Sequence, residues 1–224
     1  MQPNILRRSV AEFLGTAFLL IAVVGSGIMA ERLAGGNIAL ALLANTLATG
    51  AALVFLILAF APVSGAHFNP IVSLASAFHR ELSWNELFVY VATQVAGALS
   101  GVAAANLMFG LPAFFASTKV RSGPEQWFGE FIASLGLVGV IIAVSRRHSV
   151  IAVALSVAAF ITAAYWFTSS TSFANPAVTI ARSLSNTFAG LRPVDAPAFI
   201  GVQMAGGLAA AYLFDWMVPK QNGK

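Results

Sequence analysis

Two stretches decide how the chain is read: Ser64-Gly65-Ala66-His67-Phe68-Asn69-Pro70-Ile71-Val72 and Ser172-Phe173-Ala174-Asn175-Pro176-Ala177-Val178-Thr179-Ile180. Each sets Asn-Pro after small and polar residues and before a short apolar run. Asparagine is a favoured helix N-cap, and proline suits the first helical position because its missing N–H is not needed there. Each stretch therefore predicts the start of a short helix. A single Asn-Pro is weak evidence, since such dipeptides are commonly turns. Two copies, each between long hydrophobic segments, point to two half-helices meeting inside a membrane.

Composition supports that setting. Of the 224 residues, 58% are hydrophobic and only 9% charged, and the mean hydropathy is +0.84. Soluble domains average about 25% charged residues. The pattern is that of a polytopic, all-α integral membrane protein. Cysteine is absent, which excludes disulfides and thiolate metal sites. The net charge of +4 fits basic loops at a membrane face better than nucleic-acid binding. Arg7 and Arg8 before an apolar run resemble a signal peptide, but the run is too long, and the reading is a retained first helix.

Six apolar runs are long enough to cross about 30 Å of hydrocarbon: residues 10–30, 38–60, 84–109, 127–144, 150–167 and 196–218. The apolar segments after Asn69 and Asn175 are too short to span and are re-entrant candidates. Irregular backbone at membrane depth persists only where protein buries it or water wets it. With the N-terminus inside, the inner face holds Arg7, Arg8, Arg80, Arg146, Arg147, Lys220 and Lys224, and the outer face Arg32, Lys119, Arg121, Arg182 and Arg192. The bias, and the tight Arg146-Arg147-His148 loop, predict both termini inside.

The polar connection 110–125 divides the chain into halves, about 1–112 and 124–224, that repeat. Glu12-Phe13 matches Glu130-Phe131. Gln94 with Gly97 and Leu99 matches Gln203 with Gly206 and Leu208. The Asn-Pro segments match in order. Three crossings per half make the repeat inverted, with the site expected at the midplane. The half-helix N-termini then face each other and carry partial positive charge. That disfavours cations and hydronium but admits neutral solutes. The amides of Asn69 and Asn175 can donate to a passing oxygen, and loop carbonyls can accept.

Glu12 and Glu130 lie within spans. Intramembrane acids mark functional sites by default, but their equivalence in the repeat favours a scaffold role, each accepting N–H groups from the re-entrant loop of its own half. His67 either lines a pore or packs as a hydrogen-bonded side chain. Gln94 and Gln203 are expected to bond to the loops or to each other, and Gly97, Gly101, Gly206 and Gly207 to permit close helix packing. No enzyme constellation, cofactor motif or metal spacing appears. Little charge lies within the spans, which favours a passive channel over a coupled carrier.

On these residues the chain resembles the aquaporin, or major intrinsic protein, family across essentially its whole length. The signs are Ala11-Glu12-Phe13-Leu14-Gly15-Thr16, the segment 64–70, Gln94 and Asn175-Pro176-Ala177. The resemblance implies the aquaporin fold, six spanning helices with two half-helices, one pore per subunit and a homotetramer. It carries the pore motif onto Asn69, Pro70, Ile71, Asn175, Pro176 and Ala177, with Ile71 departing from the usual alanine. The usual constriction arginine is replaced by Val178, and counting by family spacing puts the other constriction positions at Thr49, Ala163 and Ser172. All four are small and uncharged, so a wide constriction is expected. Thr49, Val178 and the run 175–183 look like bacterial aquaglyceroporins associated with arsenic detoxification. That implies arsenite as neutral As(OH)₃ and related arsenicals, with glycerol and water, across a bacterial inner membrane. Arg182, one turn beyond Val178, is a candidate for the outer mouth; alternatively it bonds loop carbonyls or pairs with Asp195. A plain water channel, a channel that also passes anions, and a coupled carrier are the competing functions.

Overall fold

The computed structural model describes residues 3–219, so Lys220 and Lys224, counted above as inner charges, lie outside the described residues. Among those residues, six helices are long and apolar enough to cross a membrane. The first half holds α1 (Ile5–Leu33), α2 (Ile38–Ser64), the short α3 (Pro70–Phe78) and α4 (Trp84–Met108). The second holds α5 (Pro124–Ser145), α6 (Val150–Phe167), the short α7 (Pro176–Arg182) and α8 (Ala196–Met217).

Both short helices start as the sequence predicts. Asn69 accepts the Ile71 N–H at 3.0 Å, and Asn175 accepts those of Ala177 and Val178 at 3.0 and 3.3 Å. Each cap satisfies N–H groups that the first helical turn leaves open. The spanning helix α1 runs past both ends of its apolar stretch. Asn4 caps it, and Arg8 pairs with Glu86 at 2.6 Å and donates to the Tyr90 hydroxyl at 2.8 Å. Hydropathy reports the lipid-facing length, whereas the caps and ion pairs fix the helix ends.

The halves pack alike: α1 lies along α4, and α5 along α8. Glycine makes both contacts close. A Cβ on Gly97 would stand 2.3 Å from the Phe13 carbonyl oxygen, and one on Gly206 would stand 2.4 Å from that of Phe131. Without interhelical hydrophobic drive in lipid, such backbone approach is what holds spanning helices together. The 110–123 connection lies over the loop after α7, with Phe115 and Ser117 donating to Leu184 and Ser183 at 3.0 and 2.9 Å.

Candidate functional site: a cavity between the half-helices

The loops leading into α3 and α7 are built alike. Residues Ala66 and Phe68, and Ser172 and Ala174, take left-handed backbone at φ of 53°, 50°, 49° and 47°. That conformation costs a non-glycine residue roughly 1–2 kcal/mol, so something must hold it. Two buried carboxylates do. Glu12 accepts the N–H groups of His67 and Phe68 at 3.0 and 2.6 Å, with the Ser64 hydroxyl at 2.6 Å and Gln94 at 2.9 Å. Glu130 accepts Phe173 and Ala174 at 2.8 Å each and Gln203 at 2.6 Å. Gln94 bonds onward to Ser73, and Gln203 to Thr179, each at 2.9 Å. The glutamines thus bond neither to each other nor to loop backbone. Each ties its half's glutamate to its half-helix.

With the N–H groups drawn to one side, the carbonyls turn to the other. Those of Gly65, Ala66 and His67, and of Thr171, Ser172 and Phe173, have no protein donor among the described residues. The two loops also lock head to head. Asn69 donates its amide to the Ala174 carbonyl and Asn175 to that of Phe68, both at 2.8 Å. A primary amide has two N–H donors. One of each pair spans the junction and the other stays available at the cavity wall.

That wall encloses a cavity of about 330 Å³ between the half-helices. Asn69, Asn175 and His67 line its middle. Arg146, His79 and Glu81 line one end, and Thr49, Ser172, Val178 and Arg182 the other. Most of the remaining wall is aliphatic, including Leu53, Ile57, Val157 and Ile161. His67 bonds Ser73 at 3.0 Å and packs against Tyr90. Pro70, Pro176, Ile71 and Ala177 are buried but do not line the cavity. Ile71 instead points at the α8 backbone, where a Cβ on Gly207 would sit 3.2 Å from it. The glycine makes room for the larger side chain, so the departure at Ile71 leaves the cavity unaltered.

One expected residue is misplaced. Ala163 is exposed on the outer surface of α6 and does not touch the cavity. Tyr165 lines it instead, 4% exposed, with its hydroxyl 3.4 Å from Thr49 Oγ1. Each helical residue turns the chain by about 100°, so a count across an irregular loop that errs by two residues lands on the opposite face. The lining near Thr49 therefore includes a large aromatic side chain, where small residues alone were expected.

Arg182 is 2% exposed and does not pair with Asp195, which instead binds Arg192 at 2.9 Å. Its guanidinium lies 3.4 Å from the Phe173 ring centre, and its Nε donates to the Ala189 carbonyl. Phe173 is backed by Phe199 and flanked by Arg121, 5.1 Å from the ring centre. Arg121 also donates to the carbonyls of Ser170 and Gly190, at 3.0 and 2.9 Å. Sequence reasoning missed Tyr165, Phe173 and Arg121. Nothing in their spacing separates them from ordinary aromatic and loop residues.

Comparison with known proteins agrees with this geometry. The model of the family described as major intrinsic protein matches residues 1–150. The chain is 53% identical over 215 residues to aquaglyceroporin AqpS of Rhizobium meliloti (strain 1021), covering 96% of this chain and 91% of that protein. It is 32% identical over 146 residues to aquaporin NIP6-1 of Arabidopsis thaliana, covering 64% of this chain and 47% of that one. The X-ray structure of the aquaglyceroporin from Plasmodium falciparum matches with a TM-score of 0.73 at 20% identity, over 96% of this chain and 98% of that one. That likeness shows a shared aquaporin fold. With six membrane-length apolar helices, the protein is an integral membrane protein, and the chain belongs to the major intrinsic protein family.

Proposed function

We propose that the chain is a passive channel for small uncharged solutes: water, glycerol, and arsenite as As(OH)₃ with related arsenicals. The observation that carries this reading is the polar stripe through the aliphatic cavity. Five carbonyls of lining loop residues, those of Gly65, Ala66, His67, Ser172 and Phe173, have no protein donor among the described residues and accept, and the second N–H of Asn69 and of Asn175 donates. A hydroxylated solute can exchange water for this stripe one bond at a time, while its carbon or other apolar face meets the aliphatic wall. An ion gains no counter-charge there. The 53% identity to a protein named aquaglyceroporin supports solutes beyond water.

At the Arg182 end, the constriction is read as Thr49, Tyr165, Ser172 and Val178. Valine where the family usually places arginine leaves the ring less polar and removes a donor fork. The two halves, about 1–112 and 124–224, are read as an inverted repeat because their short helices meet N-terminus to N-terminus. Positive-charge bias supports both termini inside, at a bacterial plasma membrane. Family membership is what supports a homotetramer.

Stopped-flow swelling of proteoliposomes with water, glycerol and arsenite tests the reading. The wild type is expected to pass all three. Water flux without glycerol or arsenite flux would make it a plain water channel. Saturable, proton-dependent uptake would make it a carrier.

A further inference from the structure

We propose that Arg182 and Ser172 form a donor subsite at the outer end of the cavity, which binds the oxygens of neutral solutes and turns cations back. The proposal rests on the channel reading above. It assigns to Arg182 the duty that Val178 cannot perform, moved one helical turn along α7.

Arg182 is fixed rather than mobile. Phe173 supports the face of its guanidinium, and Ala189 anchors Nε. Guanidinium has five N–H donors. Only the Nε one has a protein partner among the described residues, so both terminal amino groups are left without one. The side chain lines the cavity, which directs those groups to whatever occupies it. No carboxylate lies within ion-pairing distance of Arg182 among the described residues. Its charge is therefore not paired off by a contacting acid, and Arg121, on the same Phe173 ring, adds a second positive charge nearby.

Ser172 supplies an independent sign. The residue is 3% exposed and lines the same cavity, and its hydroxyl has no hydrogen-bond partner among the described residues. A buried hydroxyl without a partner is disfavoured unless something else fills the role. A solute or water in the cavity does so. The glutamate-held, left-handed backbone at Ser172 sets this residue directly before Phe173, the platform under Arg182. One loop thus positions both donors. The solute class that fits is neutral and rich in oxygen acceptors. At this end an alkali cation meets a positive charge with no carboxylate in contact with it among the described residues.

The test measures water flux and K⁺ leak in proteoliposomes holding wild type, Arg182→Gln, Arg182→Lys and Val178→Glu. Gln keeps donors but removes the charge. Glu at 178 lies one turn from Arg182 on the same face and neutralises it without breaking its contacts. Both neutralising variants are expected to raise K⁺ leak on the order of tenfold, the weight of one unit charge roughly 8–10 Å away at an effective dielectric constant of about 20. Arg182→Lys is expected to stay tight to K⁺. Ser172→Ala is expected to slow glycerol relative to water with no K⁺ leak. If Arg182→Gln no longer carries water, Val178→Glu alone decides. Unchanged K⁺ leak in a neutralising variant that still carries water overturns the proposal. Absence of water and glycerol flux in the wild type would instead overturn the channel reading.

Discussion

Replacing Glu130 by Gln removes one oxygen acceptor from a site that uses both. Oε1 takes the Phe173 N–H, and Oε2 takes Ala174 and Gln203. Whichever way the new amide turns, its NH₂ meets a backbone N–H, and that donor loses its partner. Gln203 can flip to present oxygen, but the backbone cannot. An unsatisfied buried donor costs about 1–3 kcal/mol, and losing the charge on the remaining bonds costs about 1 kcal/mol more. The sum, about 2–4 kcal/mol, is of the same order as what is needed to hold left-handed Ser172 and Ala174. The loop should therefore relax. That displaces the Ala174 carbonyl, to which Asn69 is bonded, and the Phe173 platform under Arg182. The expected result is a lower unfolding temperature in detergent and a large loss of water flux in proteoliposomes. Glu130→Asp retains the charge but shortens the reach, and should fall between. Wild-type melting and wild-type water flux in Glu130→Gln would refute the view that the carboxylate holds the loop.

Other outcomes follow from single contacts. Val178→Arg should cut glycerol and arsenite flux while water still passes, measured by stopped-flow swelling; equal fluxes in both proteins would remove Val178 from selectivity. Tyr165→Ala should raise the glycerol-to-water ratio by clearing an aromatic ring from the constriction, whereas Ala163→Leu, on the outer surface of α6, should leave that ratio alone. Gly206→Ala places a Cβ 2.4 Å from the Phe131 carbonyl oxygen and should cost about 1–3 kcal/mol by overpacking. Gly201→Ala meets nothing within 4 Å and should leave thermal stability unchanged or slightly higher.

What was legible in the sequence was local. Asn-Pro declares a helix start because the cap and the proline act within a few residues, and both half-helices begin at Pro70 and Pro176. Glu12 and Glu130 were legible as a pair because each sits at the same place in a repeated pattern. Arg182 and Val178 could be placed on one face because regular helix joins them. Ala163 could not be placed, since residues 168–175 separate it from Asn175 without a regular helix, and helical phase does not survive such a stretch. The stacking of Arg182 on Phe173 was hidden for a related reason. It depends on left-handed backbone at Ser172 and Ala174, which no side-chain pattern announces.

The same locality bears on what can pass. Moving one hydroxyl from water into a hydrocarbon-like phase costs about 4–8 kcal/mol without a replacement bond, so a purely aliphatic cavity would bar glycerol as firmly as it bars ions. The stripe lowers that cost because its members are spaced along the path and already oriented by Glu12 and Glu130. It lies on one side only, with Leu53, Ile57, Val157 and Ile161 elsewhere on the wall. A solute with hydroxyls on one side and carbon on the other therefore loses little, whereas a cation hydrated on all sides can replace only part of its shell. The carbonyls could still coordinate a bare cation, and the wall alone does not decide against it. In the proposal above the deciding charge is Arg182, buried at 2% exposure with no acid within ion-pairing distance among the described residues. On the proposed reading, solute breadth and ion exclusion rest on different residues, Val178 with Tyr165 for the first and Arg182 for the second. A variant should be able to change one and spare the other.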